Sequence, residues 1–366
     1  MEKNKVIIAG GGTAGHLYPG IAIARELLER RSDLEILFAI GGTPLELRIL
    51  GRERFSTLTI RSGPLRGRGT FAKLKSLGRV AWGLGQSLAA IRRTRPRLVI
   101  GVGGYASGPM VLAGVLVRRP TLLHEQNLLP GLTNRLLAPL VDEVAISFAG
   151  TSRYLGGKGR WTGNPLRGGF RRPVEVRRPG GPLRLLVFGG SQGARRINQV
   201  FLEALPALIS LPGGVEIVHA TGEEDREWVE AAYREHGFPA RVEAFLTEMA
   251  PAYATADLVI SRAGATTCAE LTALGKPAIL IPFPRAAGGH QDLNAEQLRE
   301  AGAAVMIPEP ELGPERLAEM VRDLASEPDR LREMATASRG LGLPDAATRV
   351  ANLAEELMNA RGKTAA

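Results

Sequence analysis

At 366 residues, with 44% hydrophobic content, 45 glycines and 5% aromatics, the chain is too long for one ordinary core and suits two α/β domains. A single cysteine, Cys268, excludes an internal disulfide and fits a reducing compartment. The net charge of +10 is uneven, with 24 Lys and Arg against 10 Asp and Glu in residues 1–165 and 23 against 27 thereafter, so an anionic partner is expected of the first half.

The opening MEKNKVIIAGGG has only a four-residue apolar run, too short for the h-region of a secretory signal. No apolar window approaches the roughly 20 residues of a spanning helix. Val6–Ala9 read instead as a buried strand, and Gly10, Gly12 and Gly15 then fall in G-x-G-x-x-G spacing. The next strand is LEILFAIGG (Leu34–Gly42). From Arg48 to Arg97 thirteen bases face one acid, Glu53, and within Arg66–Arg93 the side chains Phe71, Leu74, Leu77 and Trp82 interleave with Arg66, Arg68, Lys73, Lys75 and Arg79. A basic face with apolar residues among it suits anionic lipid headgroups. RLVIGVGGY (Arg97–Tyr105) and TLLHEQN (Thr121–Asn127) are further strands.

The stretch Gly163–Arg184, rich in Pro, Gly and Arg, reads as a linker. An echo of the opening follows it, LRLLVFGGSQGARRINQVFLEAL (Leu183–Leu205), again strand, glycine turn and amphipathic helix. VEIVHATG, ARVEAFL, DLVISRAGA and PAILIPFP continue the alternation, which implies right-handed βαβ units and parallel sheets. The expected architecture is two Rossmann-like domains facing a cleft, residues 1–165 and 166–343. A last amphipathic helix begins at Pro344 and is expected to pack back on the first domain, and a disordered tail follows it.

The spacing at Gly10–Gly15 raises a dinucleotide reading, which requires an acid at the end of the second strand to hold ribose hydroxyls. Ala39–Gly42 carries none. What remains is a turn whose backbone N–H groups can approach an anion at a helix start. Three such turns, GGGTAGH, GVGGYASG and FGGSQGAR, point to several phosphates. No nucleic-acid partner is expected, because aromatics are sparse, the second half is acidic and no recognised nucleic-acid motif is present.

RAGATTCAELTALGKPAILIPFP (Arg262–Pro284), followed by HQDLNAEQL (His290–Leu298), resembles the donor-nucleotide region of two-domain glycosyltransferases of the B fold. With GGGTAGHLYPGIAIARELLER, GVGGYASGP, HEQNLLPGLTNRLLA and GGSQGARRIN in order, nearly the whole chain resembles the bacterial undecaprenyldiphospho-muramoylpentapeptide β-N-acetylglucosaminyltransferase family. The resemblance implies transfer of N-acetylglucosamine from UDP-GlcNAc to the 4-hydroxyl of the muramoyl sugar of lipid I, giving lipid II of peptidoglycan with inversion. It also implies a peripheral enzyme of the cytoplasmic face of the inner membrane and room for cell-wall synthesis proteins as partners. No cofactor is expected. The absence of a D-x-D agrees with a metal-independent reaction, in which helix ends and basic groups stabilise departing UDP. A related transferase acting on another lipid, such as diacylglycerol, is the alternative.

On the same resemblance, Glu270 holds the ribose hydroxyls of UDP, a role its two carboxylate oxygens suit. Ala265, Thr266, Thr267, Cys268 and Ala269 meet the donor at a helix start, and the main chain of Leu246 meets uracil. Ser191 and Arg167 contact donor phosphate, and Gln291 and Asn127 contact the donor sugar. Thr13, Ala14 and Gly15 meet the donor from the first turn. Arg262 is either a phosphate ligand or paired internally. Gly103, Gly104 and Tyr105 form part of an acceptor diphosphate site, with His124 either near the acceptor or buried and hydrogen-bonded. His16 is the leading general base, since an imidazole titrates near neutrality, and Glu125 is the other.

Overall fold

A computed structural model of the chain describes residues 3–61, 70–170, 181–190 and 193–360, with the side chains of 70–77 and 287 outside that description. The chain divides into two compact units, Met1–Arg167 with Asp345–Ala366, and Gly168–Pro344.

The first unit alternates strand and helix from its start: β1 (Asn4–Ala9), α1 (Ala14–Arg30), β2 (Leu34–Ile40), α2 (Pro44–Arg52), β3 (Ser56–Thr59) and α3 (Thr70–Thr94). It continues with β4 (Leu98–Gly101), α4 (Ser107–Leu116), β5 (Thr121–Glu125), α5 (Leu132–Leu137), β6 (Glu143–Ile146) and β7 (Arg160–Trp161). The Val- and Ile-rich runs of β1 and β4 are buried on both faces, as strands interior to a parallel sheet must be. Among the described residues the strands pair in the order β3-β2-β1-β4-β5-β6-β7, every pair parallel. Chain direction across the sheet reverses between β1 and β4. In open α/β sheets ligands bind beyond the carboxyl ends of the strands at such a point.

The second unit repeats the scheme with β8 (Leu183–Phe188), α6 (Arg195–Ile209), β9 (Val215–Ala220), α7 (Arg226–Glu235), β10 (Arg241–Glu243) and α8 (Met249–Thr255). Then come β11 (Leu258–Ser261), α9 (Ala265–Leu274), β12 (Ala278–Leu280), α10 (His290–Glu300), β13 (Ala304–Met306), α11 (Pro314–Ser326) and α12 (Pro328–Leu341). The order is β10-β9-β8-β11-β12-β13, again parallel throughout, with the switch between β8 and β11.

The last helix, α13 (Ala346–Ala360), belongs to the first unit. Its Val350, Ala351, Ala354 and Met358 share a core with Ile8, Leu17 and Leu27 on one face of the sheet. Arg30 clasps the contact by reaching Glu26, Asn352 and Glu355. The segment read as a linker is partly core. Thr162 and Asn164 are buried and the Gly163 carbonyl accepts from inside the unit, while Leu183 and Arg184 already lie in β8. Residues 171–180 lie outside the described residues.

Candidate active site

At the first switch point the turns after β1 and β4 run side by side, since Ala9 pairs with Gly101. Gly104 takes φ +83°, and a Cβ there would overlap the Gly11 carbonyl, so only glycine lets the two turns meet. His16 lies in the first turn of α1 with its ring against Gly103, where an added Cβ would come within 2.7 Å of Cδ2 and 3.0 Å of Nε2. Its Nδ1 stands 3.1 Å from Oγ1 of Thr13, the N-cap. Ala14 and Gly15 open the helix, and Tyr105 is exposed beside Gly103 and Gly104.

The sequence finds no acid at the end of β2, but the fold brings one. Glu46, in the first turn of α2, is 1% exposed. One oxygen completes a capping box by accepting the Thr43 N–H at 2.6 Å, and the other accepts the Gly12 N–H at 2.7 Å. The expectation of a phosphate in the first glycine turn is therefore corrected at Gly12, whose donor is already engaged by the protein's own carboxylate. Sequence reasoning missed Glu46. Thr43-Pro44-Leu45-Glu46 announces a helix start, but the long-range bond has no local signal.

At the end of β5, His124 and Glu125 both point into the protein. Nε2 of His124 pairs with the Gly163 carbonyl, and Nδ1 with the side-chain amide of Gln126, whose amide also donates to the Val102 carbonyl. Burial pushes the imidazole down to about 4, so it is neutral near pH 7. Of the two readings of His124, the structure selects the buried, hydrogen-bonded one. Glu125 is 2% exposed and accepts from Asn127 N and Nδ2, Gly131 N and Asn134 Nδ2. These donors span both oxygens, so the carboxylate organises the loop 126–131, which sets Asn127, and is not placed as a base. Desolvation raises its pKa despite those bonds. Arg167 stacks its guanidinium over Tyr18, 3.8 Å from the ring centroid.

In the second unit α9 starts at the end of β11. Its N-cap is Gly264, which makes no side-chain cap, and the helix directs its positive end there. Glu270 lies one turn further on, 7% exposed, with Oε2 accepting from Tyr253 at 3.0 Å. Tyr253 is fixed edge-on by Phe170 and Phe188, each 5.8 Å between centroids. A merely solvated helix acid is thereby excluded. Cys268, next to Ala269 on α9, is buried, and burial pushes its thiol up to about 12. Leu246 is buried just past β10. Gln291, in the first turn of α10, accepts the Phe283 N–H at 2.9 Å, and His290 begins that helix. Arg262 is paired internally: it donates to the Ile281 and Pro282 carbonyls and to Glu309, and lies over Phe283. Ser191 lies outside the described residues.

Two doubly wound units, with a helix start and a buried carboxylate at a switch point, have the architecture of the two-domain B fold of glycosyltransferases. The glycosyltransferase family 28 N-terminal domain matches residues 6–146, and the family 28 C-terminal domain matches 184–353. A protein of Syntrophus aciditrophicus (strain SB) named UDP-N-acetylglucosamine--N-acetylmuramyl-(pentapeptide) pyrophosphoryl-undecaprenol N-acetylglucosamine transferase is 48% identical over 341 residues, 92% of this chain and 94% of that protein. A protein of the same name from Geobacter sulfurreducens is 46% identical over 94% of this chain and 96% of its own length. The crystal structure of Acinetobacter baumannii MurG superposes with a TM-score of 0.79 at 29% identity, covering 96% of this chain and 99% of that one. The chain therefore belongs to glycosyltransferase family 28 and, within it, to the family of those N-acetylglucosamine transferases.

Proposed function

We propose that the protein transfers N-acetylglucosamine from UDP-GlcNAc to the 4-hydroxyl of the N-acetylmuramyl-pentapeptide carried on undecaprenyl diphosphate, with inversion. The supporting relatives carry that activity in their names and match nearly the full chain. The structural observation that carries the reading is the buried Glu270 one turn inside α9, held by Tyr253 below a helix start whose N-cap is Gly264. A vicinal diol of ribose is bidentate to such a carboxylate, and the helix end favours a diphosphate.

In the displacement, the acceptor oxygen bonds to the anomeric carbon as the bond to UDP breaks. The hydroxyl proton goes to Nε2 of His16, which requires Nδ1 to keep its own proton and donate to Thr13 Oγ1. The charge left on UDP is met by the N–H groups of Ala265–Thr267 and by the guanidinium of Arg167. Asn127 and Gln291 bind the donor sugar, the main chain of Leu246 binds uracil, and Gly103, Gly104 and Tyr105 serve the acceptor diphosphate.

No described helix is long and apolar enough to cross a membrane. The working place we infer is the cytoplasmic face of the inner membrane, reached through the basic face of α3. Among the described residues no group of three His, Cys, Asp or Glu side chains could hold a metal ion. The test is transfer from UDP-GlcNAc to a short-chain lipid I analogue in the presence of a chelator. Turnover with that acceptor is expected. Turnover only with diacylglycerol overturns the acceptor, and dependence on added divalent metal overturns the account of the leaving group.

A further inference from the structure

Among the described residues, Glu46 is a buried carboxylate split between two elements: it accepts from its own helix start and from a turn 34 positions earlier. A capping box alone needs only the Thr43 bond. The second bond fixes Gly12, immediately before Thr13, whose hydroxyl stands 3.1 Å from Nδ1 of His16. The arrangement leaves no slack. A Cβ on Gly11 would overlap Oε1 of Glu46, and one on Gly104 would overlap the Gly11 carbonyl, so the turn is bounded by the carboxylate on one side and the next turn on the other. Gly103 supports the imidazole from below.

We infer that Glu46 is a positioning residue for His16: as a built-in anion at Gly12 it sets the turn so that Thr13 meets Nδ1, which fixes the orientation of the ring that receives the proton. The inference rests on the proton-accepting role of His16 given above. A carboxylate accepting from a backbone N–H makes a charge-assisted bond, stronger than a neutral one, and this one is shielded from water. The same carboxylate keeps a phosphate from Gly12, which separates this turn from a dinucleotide turn of equal spacing.

Glu46→Asp withdraws the carboxylate from Gly12 and from the Thr43 N–H, and Thr43→Ala tests the cap by itself. Shortening by one C–C bond, about 1.5 Å, keeps an acid at the helix start but withdraws it from Gly12. We expect kcat to fall about tenfold, the loss of one charge-assisted bond's worth of alignment, with KM for UDP-GlcNAc within about twofold. The ring nitrogen signals of His16 in a histidine-labelled sample are expected to leave their wild-type tautomer pattern. Thr43→Ala, which removes the cap's hydroxyl and spares the Gly12 bond, is expected to leave those signals in place. Glu46→Ala removes both acceptor oxygens and gives the same reading where the shorter acid fails to fold. Unchanged His16 signals in a folded Glu46 variant overturn the inference, whatever happens to kcat. A His16→Ala enzyme of full kcat overturns instead the proton-acceptor role, and the signal change in Glu46→Asp remains readable by itself.

Discussion

Tyr253 donates its phenolic hydrogen to Oε2 of Glu270 across 3.0 Å, with both side chains buried. The bond orients the carboxylate from beneath, because Phe170 and Phe188 hold the Tyr253 ring from two sides. Tyr253→Phe keeps the packing and removes only the hydroxyl. A hydrogen bond to a charged group contributes about 1.5 kcal/mol or more, so UDP affinity by calorimetry is expected to fall about tenfold with kcat at saturation nearly unchanged. Glu270→Ala is expected to lose more. Equal affinity in Tyr253→Phe and wild type removes the hydroxyl from the donor site.

Glu125→Gln separates a clamp from a base. The amide replaces one acceptor oxygen by an N–H₂ group, which then faces the N–H donors of Asn127 or of Gly131 and Asn134. An unsatisfied buried donor costs about 1–3 kcal/mol, so urea denaturation is expected to show a loss of that size. Activity per folded molecule is expected to fall by less than tenfold. A full-stability variant with kcat reduced a thousandfold would return Glu125 to the role of base.

Strands β1, β2, β4, β8, β9 and β11 were legible because each is a run of apolar residues closed by glycine and followed by a helix, whereas the short β3, β6, β7 and β13 carry no such signal and were not legible. The start of α9 was legible for the same kind of reason, since Gly264 at the end of β11 announces a helix N-terminus. Side-chain direction was not. His124 and Glu125 stand at the end of a strand covered on both faces, where period-two alternation gives no outward position. Arg262 looked equally suited to a phosphate or to an internal partner, and only the fold brings Glu309 and the β12 end to it. Glu46 reads as an ordinary helix acid, since its second bond joins residues 34 apart.

The basic face of α3 gives a membrane test. Trp82 is 65% exposed, and Arg79 and Arg93 are exposed on the same helix. At about 100° per residue the three fall within roughly 60° around its axis. The side chains of Phe71, Lys73, Leu74, Lys75 and Leu77, and residues Arg66 and Arg68, lie outside the described residues. Each base near an anionic surface contributes about 1 kcal/mol, and an indole adds its apolar area. The double variant Trp82→Ser, Arg79→Glu is expected to sediment at least tenfold less with vesicles rich in anionic lipid, at unchanged thermal midpoint. Undiminished sedimentation removes this face from the binding surface.

Two buried imidazoles make stability depend on pH. Burial lowers His124 to about 4 and His219 to about 3, against about 6.5 in the unfolded chain. His219 is also held inside, between Tyr233 and Asn198. Below pH 6.5 the unfolded state binds protons that the folded state refuses, so stability is full above that pH and falls as pH drops through the window down to about 4. For His124 alone the shift corresponds to about 3 kcal/mol at the bottom of the window. Denaturant midpoints are therefore expected to fall steadily from pH 7 to pH 4.5. The fall should be shallower in His124→Gln, whose amide cannot titrate. An equal slope in that variant and the wild type would mean that His124 is protonated in the folded state, against its burial and against the Gln126 amide that donates to its Nδ1.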